Sequence, residues 1–140
     1  MSRLQRTGSF RLSGIRGTLK IAAGVPALGF LIMGLVWWIA PASAGSQLGM
    51  ELLGGTGLST QIADLAAFFL TLGGSILVGL ASADRVWFFP PLMLLGFAIV
   101  GRLVAWHFHG AELAFEMIAA ESFVFAVLLL NVRDMAKART

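Results

Sequence analysis

The residues that could support chemistry are a few charged and imidazole side chains that stand within or beside long apolar stretches. Arg102 lies in one such stretch, and Glu116 and Glu121 lie in the next. If these stretches cross a membrane, inserting a charge near a helix centre costs about 2.5–3.5 kcal/mol, so these side chains should face other helices and find partners. They are candidates for fixing helix register, for ligand binding or for proton chemistry.

The position of the turn between these two stretches predicts which carboxylate meets Arg102. With the turn centred near His109 and Gly110, Arg102 stands one position from Glu116 on the neighbouring antiparallel helix. We therefore expect an Arg102–Glu116 ion pair that fixes the register of the two helices.

Glu121 needs a different partner in this arrangement. It lies about 140° around the helix from Glu116, and near the centre of its stretch. Two alternatives stay open: a hydrogen bond from Thr71 or Ser75, or a protonated carboxyl group.

The same residues belong to a predicted polar cluster at the outer mouth of a helix bundle. Six members lie near the outer end of the second, third or fourth apolar stretch or in the connection beside it: Asp64, Arg102, His107, His109, Glu112 and Glu116. Glu121 is the deepest candidate. Arg102 and His109 fall on one helix face, and Glu112 and Glu116 fall on another. These residues are candidates for ligand binding, and no catalytic role is assigned to any of them.

No metal site and no cofactor are predicted. His107 and His109 point to different sides of a helix, unlike the i, i+4 pairs of helical metal motifs. A single imidazole can hold haem iron, but no further motif accompanies either His. The chain has no Cys, which excludes disulfides and thiolate sites. It also lacks a phosphate-binding loop, a G-x-S-x-G elbow and H-E-x-x-H, which argues against familiar hydrolases and nucleotide enzymes.

Composition indicates that lipid, not water, surrounds most of the chain. Of 140 residues, 58% are hydrophobic and 12% are charged, whereas a soluble domain carries about 25% charged residues. The formal charge of +3 does not indicate a nucleic-acid partner, because the basic residues lie at chain ends and helix edges, not in a patch with aromatics. The expected partner is the lipid bilayer.

Four apolar stretches have the roughly 20 residues that a transmembrane helix needs. We predict helices at 19–40, 62–81, 86–108 and 111–132, which makes an all-α, four-transmembrane-helix bundle over 19–132. Four segments are too few for a closed barrel. A basic segment at 1–18 precedes the bundle and a tail at 133–140 follows it. Small residues let membrane helices approach closely, and the candidate packing positions are Gly73, Gly74, Gly96 and Gly101.

Lys and Arg predict the orientation. They precede the first span, occupy the second connection and follow the last span, and the first and third connections contain none. These residues are Arg3, Arg6, Arg11, Arg16, Lys20, Arg85, Arg133, Lys137 and Arg139. Because cytoplasmic loops carry the excess of Lys and Arg, we expect both termini in the cytoplasm and the protein in a bacterial inner membrane.

A cleaved signal peptide is the main alternative to the first helix. Ala42-Ser43-Ala44 resembles a peptidase site of small residues. We keep the first helix, because its apolar stretch exceeds the usual length of about 7–15 residues, and cleavage at this site stays open. The outer connection at 41–61 is rich in Gly but keeps apolar residues, and we expect it to lie along the membrane surface.

Residues 64–121 combine a Gly-Gly pair, an Arg in a short turn, Gly-Arg late in the third span, His-Gly at the next turn and Glu in the fourth span. This combination resembles the small four-helix membrane proteins grouped as domain of unknown function 4345, and less closely the DoxX-like families. The family's usual Arg before the Gly-Gly pair is missing, since residues 66–69 read Ala-Ala-Phe-Phe. The resemblance covers most of the chain and implies a helical inner-membrane protein without an established reaction. The positions it carries over are Gly73, Gly74, Arg102, Gly110 and Glu121.

Three functions are compatible with these features. The favoured one is a non-enzymatic protein that binds a lipid-like or small apolar ligand, or serves as an accessory subunit of a larger membrane complex. The second is a small membrane enzyme or cofactor carrier that uses Arg102, Glu116, Glu121 and a His. The third is a transporter, which would require a homo-oligomer because four helices leave little room for a pathway.

Overall fold

The computed structural model describes residues 3–137, with side chains described from Arg16 onward. Every element in this range is helical: α1 (Arg3–Ile39), α2 (Pro41–Gln47), α3 (Gly55–Ser82), a 3-10 turn (Arg85–Phe88), α4 (Phe89–His109) and α5 (Phe115–Lys137). Four segments are long and apolar enough to cross a membrane: Arg16–Ile39, Gly55–Ser82, Arg85–His109 and Phe115–Lys137. The predicted all-α fold with four such helices is therefore confirmed. Arg139 and the side chains of Arg3, Arg6 and Arg11 lie outside the described part.

Some helices extend beyond their predicted bounds because the apolar pattern ends before the helix does, whereas α4 and α5 begin three and four residues later than predicted. From Arg3 on, the predicted basic segment belongs to α1, because no proline interrupts this helix before Pro26. At 37 residues and 1.5 Å per residue, α1 is about 55 Å long, well beyond the roughly 30 Å of hydrocarbon. Its first turns therefore extend past the apolar span.

The four long helices form an antiparallel bundle in which each packs on its neighbours in chain order, and α5 returns to α1. The most extensive contact joins α1 to α3, where Gly24 faces Leu80 and Gly34 faces Leu70. Residue numbers that rise along α1 thus fall along α3. The main core lies between the helices and is built from buried aliphatic residues and one ring, including Ala23, Ala27, Leu72, Ile76, Phe88, Leu95 and Leu128.

One end of the bundle joins the start of the first span to the end of the last. The Nε of Arg16 donates to Oδ1 of Asp134 at 3.2 Å. The buried Asn131 donates through Nδ2 to the carbonyl of Leu19 at 3.1 Å and to that of Val127 at 2.9 Å. We call the opposite half, which contains the α2–α3 and α4–α5 connections, the distal half.

A small second core in the distal half is built around Trp37. This side chain is fully buried with Ala44 and Ala66. The outer connection supplies the reason: α2 folds back over the end of α1 and covers the indole. Trp38, its neighbour, is exposed.

Candidate ligand-binding site

A cavity of about 480 Å³ lies in the distal half of the bundle. Three phenyl rings form part of its wall, Phe30 from α1 and Phe68 and Phe69 from α3. The ring centroids of Phe30 and Phe69 lie 6.2 Å apart and those of Phe68 and Phe69 lie 5.2 Å apart. These spacings are typical of aromatic pairs, so the rings support one another around the cavity.

The floor and the rim of the cavity differ in exposure. Leu72 and Leu95 lie at the floor and are buried, whereas Met50 and Ala120 belong to the lining and are exposed. The cavity therefore opens between the outer connection, which carries Met50, and the first turns of α5.

The helical repeat explains why these residues share one cavity. Leu65, Phe68 and Leu72 follow one another at spacings of three and four along α3, and Leu95, Ala98 and Arg102 do the same along α4. Residues at such spacings occupy one face of a helix. Leu48 and Met117 complete the apolar wall from the outer connection and from α5.

One ion pair is the polar feature of this wall. The Nε of Arg102 donates to both carboxylate oxygens of Glu121 at 3.1 Å, and its Nη2 donates to Oε1 at 2.8 Å. Paired donation of this kind fixes the geometry of both groups as well as their charges. The side chains are 32% and 15% exposed, so the pair is largely shielded from the surroundings.

The predicted Arg102–Glu116 pair was wrong, because Glu116 is exposed and Arg102 binds Glu121. The proposed partners Thr71 and Ser75 of Glu121 are likewise replaced by Arg102.

The α4–α5 connection explains the change of partner. Gly110 ends α4 in the left-handed conformation, with φ 68°, which a glycine adopts without steric cost. Residues 111–114 are not helical, and α5 begins at Phe115. Since this start is four residues later than predicted, the carboxylate opposite Arg102 shifts from Glu116 to Glu121.

The remaining members of the predicted polar cluster do not join the ion pair. Their side chains are exposed in the structure: Asp64, His107, His109, Glu112 and Glu116. Among the described residues, no three His, Asp or Glu side chains are placed to hold a metal ion. The structure thus narrows the candidate site to Arg102, Glu121 and the apolar wall.

The four candidate packing glycines have different surroundings. A Cβ on Gly73 would lie 2.5 Å from the carbonyl oxygen of Ala27 and 2.9 Å from the backbone nitrogen of Leu31. On Gly96 it would meet the ring of Phe125 at an ordinary 3.7 Å, and on Gly74 or Gly101 it would meet nothing within 4 Å. Of these four glycines, Gly73 is therefore the one at which the backbones of α1 and α3 approach each other closely.

Sequence reasoning missed Gln61, which holds the outer connection in place beside the cavity. Its Nε2 donates to the carbonyl of Glu51 at 3.1 Å, and its Oε1 accepts from the N–H of Leu53 at 3.1 Å. The side chain is buried. An isolated amide at the edge of an apolar stretch is the signal that could have identified it, because buried amides need partners.

We predict that Gln61→Leu loosens the segment that carries Met50. The two backbone groups lose their amide partner, so the N–H of Leu53 should exchange with solvent faster in a hydrogen–deuterium exchange measurement. Gln47→Leu, at an exposed position in α2, is the matched control and should leave the exchange rate unchanged. Unchanged exchange in both variants would contradict the role of Gln61.

No protein-family model, curated protein or solved structure matches this chain.

Proposed function

We propose that this protein is a non-enzymatic membrane protein that binds a lipid-like or small apolar molecule in the distal cavity. The cavity itself carries the proposal. Its volume of about 480 Å³ falls within the roughly 300–1,000 Å³ of small-molecule sites, which combine apolar walls with a few placed polar groups. Arg102 and Glu121 are the polar side chains among the residues that line it. An apolar molecule from the membrane suits such a wall.

A pocket-filling substitution tests the proposal. The wild-type protein, purified in a mild detergent, should retain an apolar small molecule that solvent extraction releases and mass spectrometry detects. Ala98→Phe places a ring in the cavity and should abolish this retention. Ala67→Phe, at an exposed position of α3, adds the same ring outside the cavity and should retain the molecule.

Two outcomes would contradict ligand binding in the distal cavity. Equal retention by Ala98→Phe and the wild type would place the bound molecule elsewhere. A stoichiometric protein partner that purifies with both variants, without any small molecule, would instead favour an accessory subunit of a membrane complex.

We propose further that both termini face the cytoplasm of a bacterium, across its inner membrane. Arg16 and Asp134 meet at one end of the bundle, and Lys20 and Arg133 lie within four residues of that contact along the chain. The α2–α3 and α4–α5 connections contain no Lys or Arg. This asymmetry supports a cytoplasmic position for the basic end and an outer position for the cavity.

The absence of Cys from the chain makes the orientation simple to test. In intact cells, a membrane-impermeant maleimide should label Ser59→Cys, near the start of α3, but not Ser82→Cys, at its end. Both positions are exposed, and both variants should react after the cells are lysed. Labelling of Ser82→Cys alone in intact cells would reverse the orientation.

The relation to the domain of unknown function 4345 family is also a proposal. Three of the positions that the resemblance carries over have distinct surroundings that support it. Gly73 lies at a close approach of α1 and α3, Gly110 ends α4, and Arg102 binds Glu121. Replacement of any of these residues should destabilise the protein, as expected of positions that define a family.

A further inference from the structure

We infer that the molecule held in the distal cavity is a neutral amphiphile whose head carries a hydrogen-bond-accepting carbonyl group, and that Glu121 sets this preference. The inference rests on the proposed ligand-binding function and adds the chemical class of the ligand. Its basis is the Arg102–Glu121 pair in the cavity wall.

Arg102 has more hydrogen-bond donors than Glu121 uses. A guanidinium group carries five N–H donors, and here Nε and Nη2 donate to the carboxylate. Among the described residues, no protein acceptor binds Nη1. Because the other lining side chains are apolar, the acceptor for Nη1 has to come from outside the cavity wall, and a molecule bound in the cavity can supply it.

The charge of the pair selects against a charged head. Arg102 and Glu121 sum to zero formal charge, so the wall offers no net attraction to an anion. A carboxylate that approached Nη1 would also come close to the carboxylate of Glu121, and an apolar wall screens their repulsion less than water does. A cationic head group would likewise be repelled by the guanidinium group of Arg102. A neutral carbonyl oxygen accepts the hydrogen bond without either penalty.

The distance from the pair to the floor fits an elongated molecule. Arg102 and Leu95 line the cavity from the same face of α4, and their separation of seven residues corresponds to about 10 Å at 1.5 Å per residue. A head held at Arg102 would therefore direct an apolar chain along the phenyl rings toward Leu72 and Leu95. Burial of this chain supplies affinity, and the hydrogen bond to Arg102 supplies selectivity.

Competition among three molecules with the same alkyl chain tests the inference. The full-length protein in lipid nanodiscs is labelled with a photoreactive alkyl diazirine, and glyceryl monolaurate, laurate and dodecane compete with it. For the wild type, glyceryl monolaurate should block labelling of cavity residues at about tenfold lower concentration than the other two, the effect of one hydrogen bond to a charged group. In Glu121→Gln the guanidinium loses its counter-charge, so laurate should become the better competitor.

A second variant keeps the inference testable if Glu121→Gln fails to fold. Arg102→Met/Glu121→Leu replaces the ion pair with apolar side chains, a change that often preserves or raises stability. It should bind glyceryl monolaurate and dodecane equally. A preference for glyceryl monolaurate that survives in this double variant would overturn the inference, as would equal competition by laurate in the wild type.

The same experiment separates failure of this inference from failure of the proposed function. Equal displacement by all three molecules would leave a ligand-binding cavity without head-group selection. Absence of cavity labelling and of any displacement would overturn ligand binding itself.

Discussion

Gly73→Ala is expected to disrupt the packing of α1 against α3 and to lower the free energy of unfolding by about 1–3 kcal/mol, the range for overpacked cores. The added Cβ would lie 2.5 Å from the carbonyl oxygen of Ala27 and 2.9 Å from the backbone nitrogen of Leu31. Both obstacles are backbone atoms, so a rotamer change cannot relieve the overlap. The helices must move apart along the most extensive interface of the bundle.

The neighbouring glycine provides a matched control. A Cβ on Gly74 would meet nothing within 4 Å, and alanine favours a helix over glycine by about 1 kcal/mol. Gly74→Ala should therefore be neutral or slightly stabilising. Thermal unfolding in detergent, followed by circular dichroism, measures both variants, and equal melting temperatures would contradict the close crossing at Gly73.

The sequence predicted the helices well because the features that define a membrane span are local. Length and apolar content over about 20 residues place four spans without any knowledge of their neighbours. The same reasoning makes the predicted helices too short where polar residues continue them. Gly55 to Gln61 belong to α3 although the predicted span starts at Ile62, since nothing in that stretch interrupts helical hydrogen bonding.

The candidate site was harder to predict because its partners depend on connections and on distant backbone groups. Four non-helical residues after Gly110 shift the α5 register and exchange Glu116 for Glu121. Asn131 binds the carbonyl of Leu19, 112 positions away. Every residue has a backbone carbonyl, so the sequence does not indicate which one accepts this hydrogen bond. The residue types that carry the site, Arg102 and Glu121, were still predicted, because a charge within an apolar span is a local feature.

Removal of one partner from the Arg102–Glu121 pair should also have a large effect. Arg102→Ala leaves the carboxylate without its counter-charge in the cavity wall. When one partner of a fully buried pair is removed, the free energy of unfolding falls by about 3–5 kcal/mol. Because the Arg102 side chain is 32% exposed, we expect a smaller loss of about 2 kcal/mol, by the same principle.

A double-mutant cycle identifies the partner of Arg102, because residues in direct contact have non-additive effects on stability. Glu121→Gln in the Arg102→Ala background should cost less than Glu121→Gln alone, since the interaction that it removes is already lost. Glu116→Gln is the control: this carboxylate is exposed and its effect should be the same in both backgrounds. Non-additive losses for Glu116 and additive losses for Glu121 would restore the pairing expected from the sequence. They would also remove the neutral pair on which head-group selection in the cavity depends.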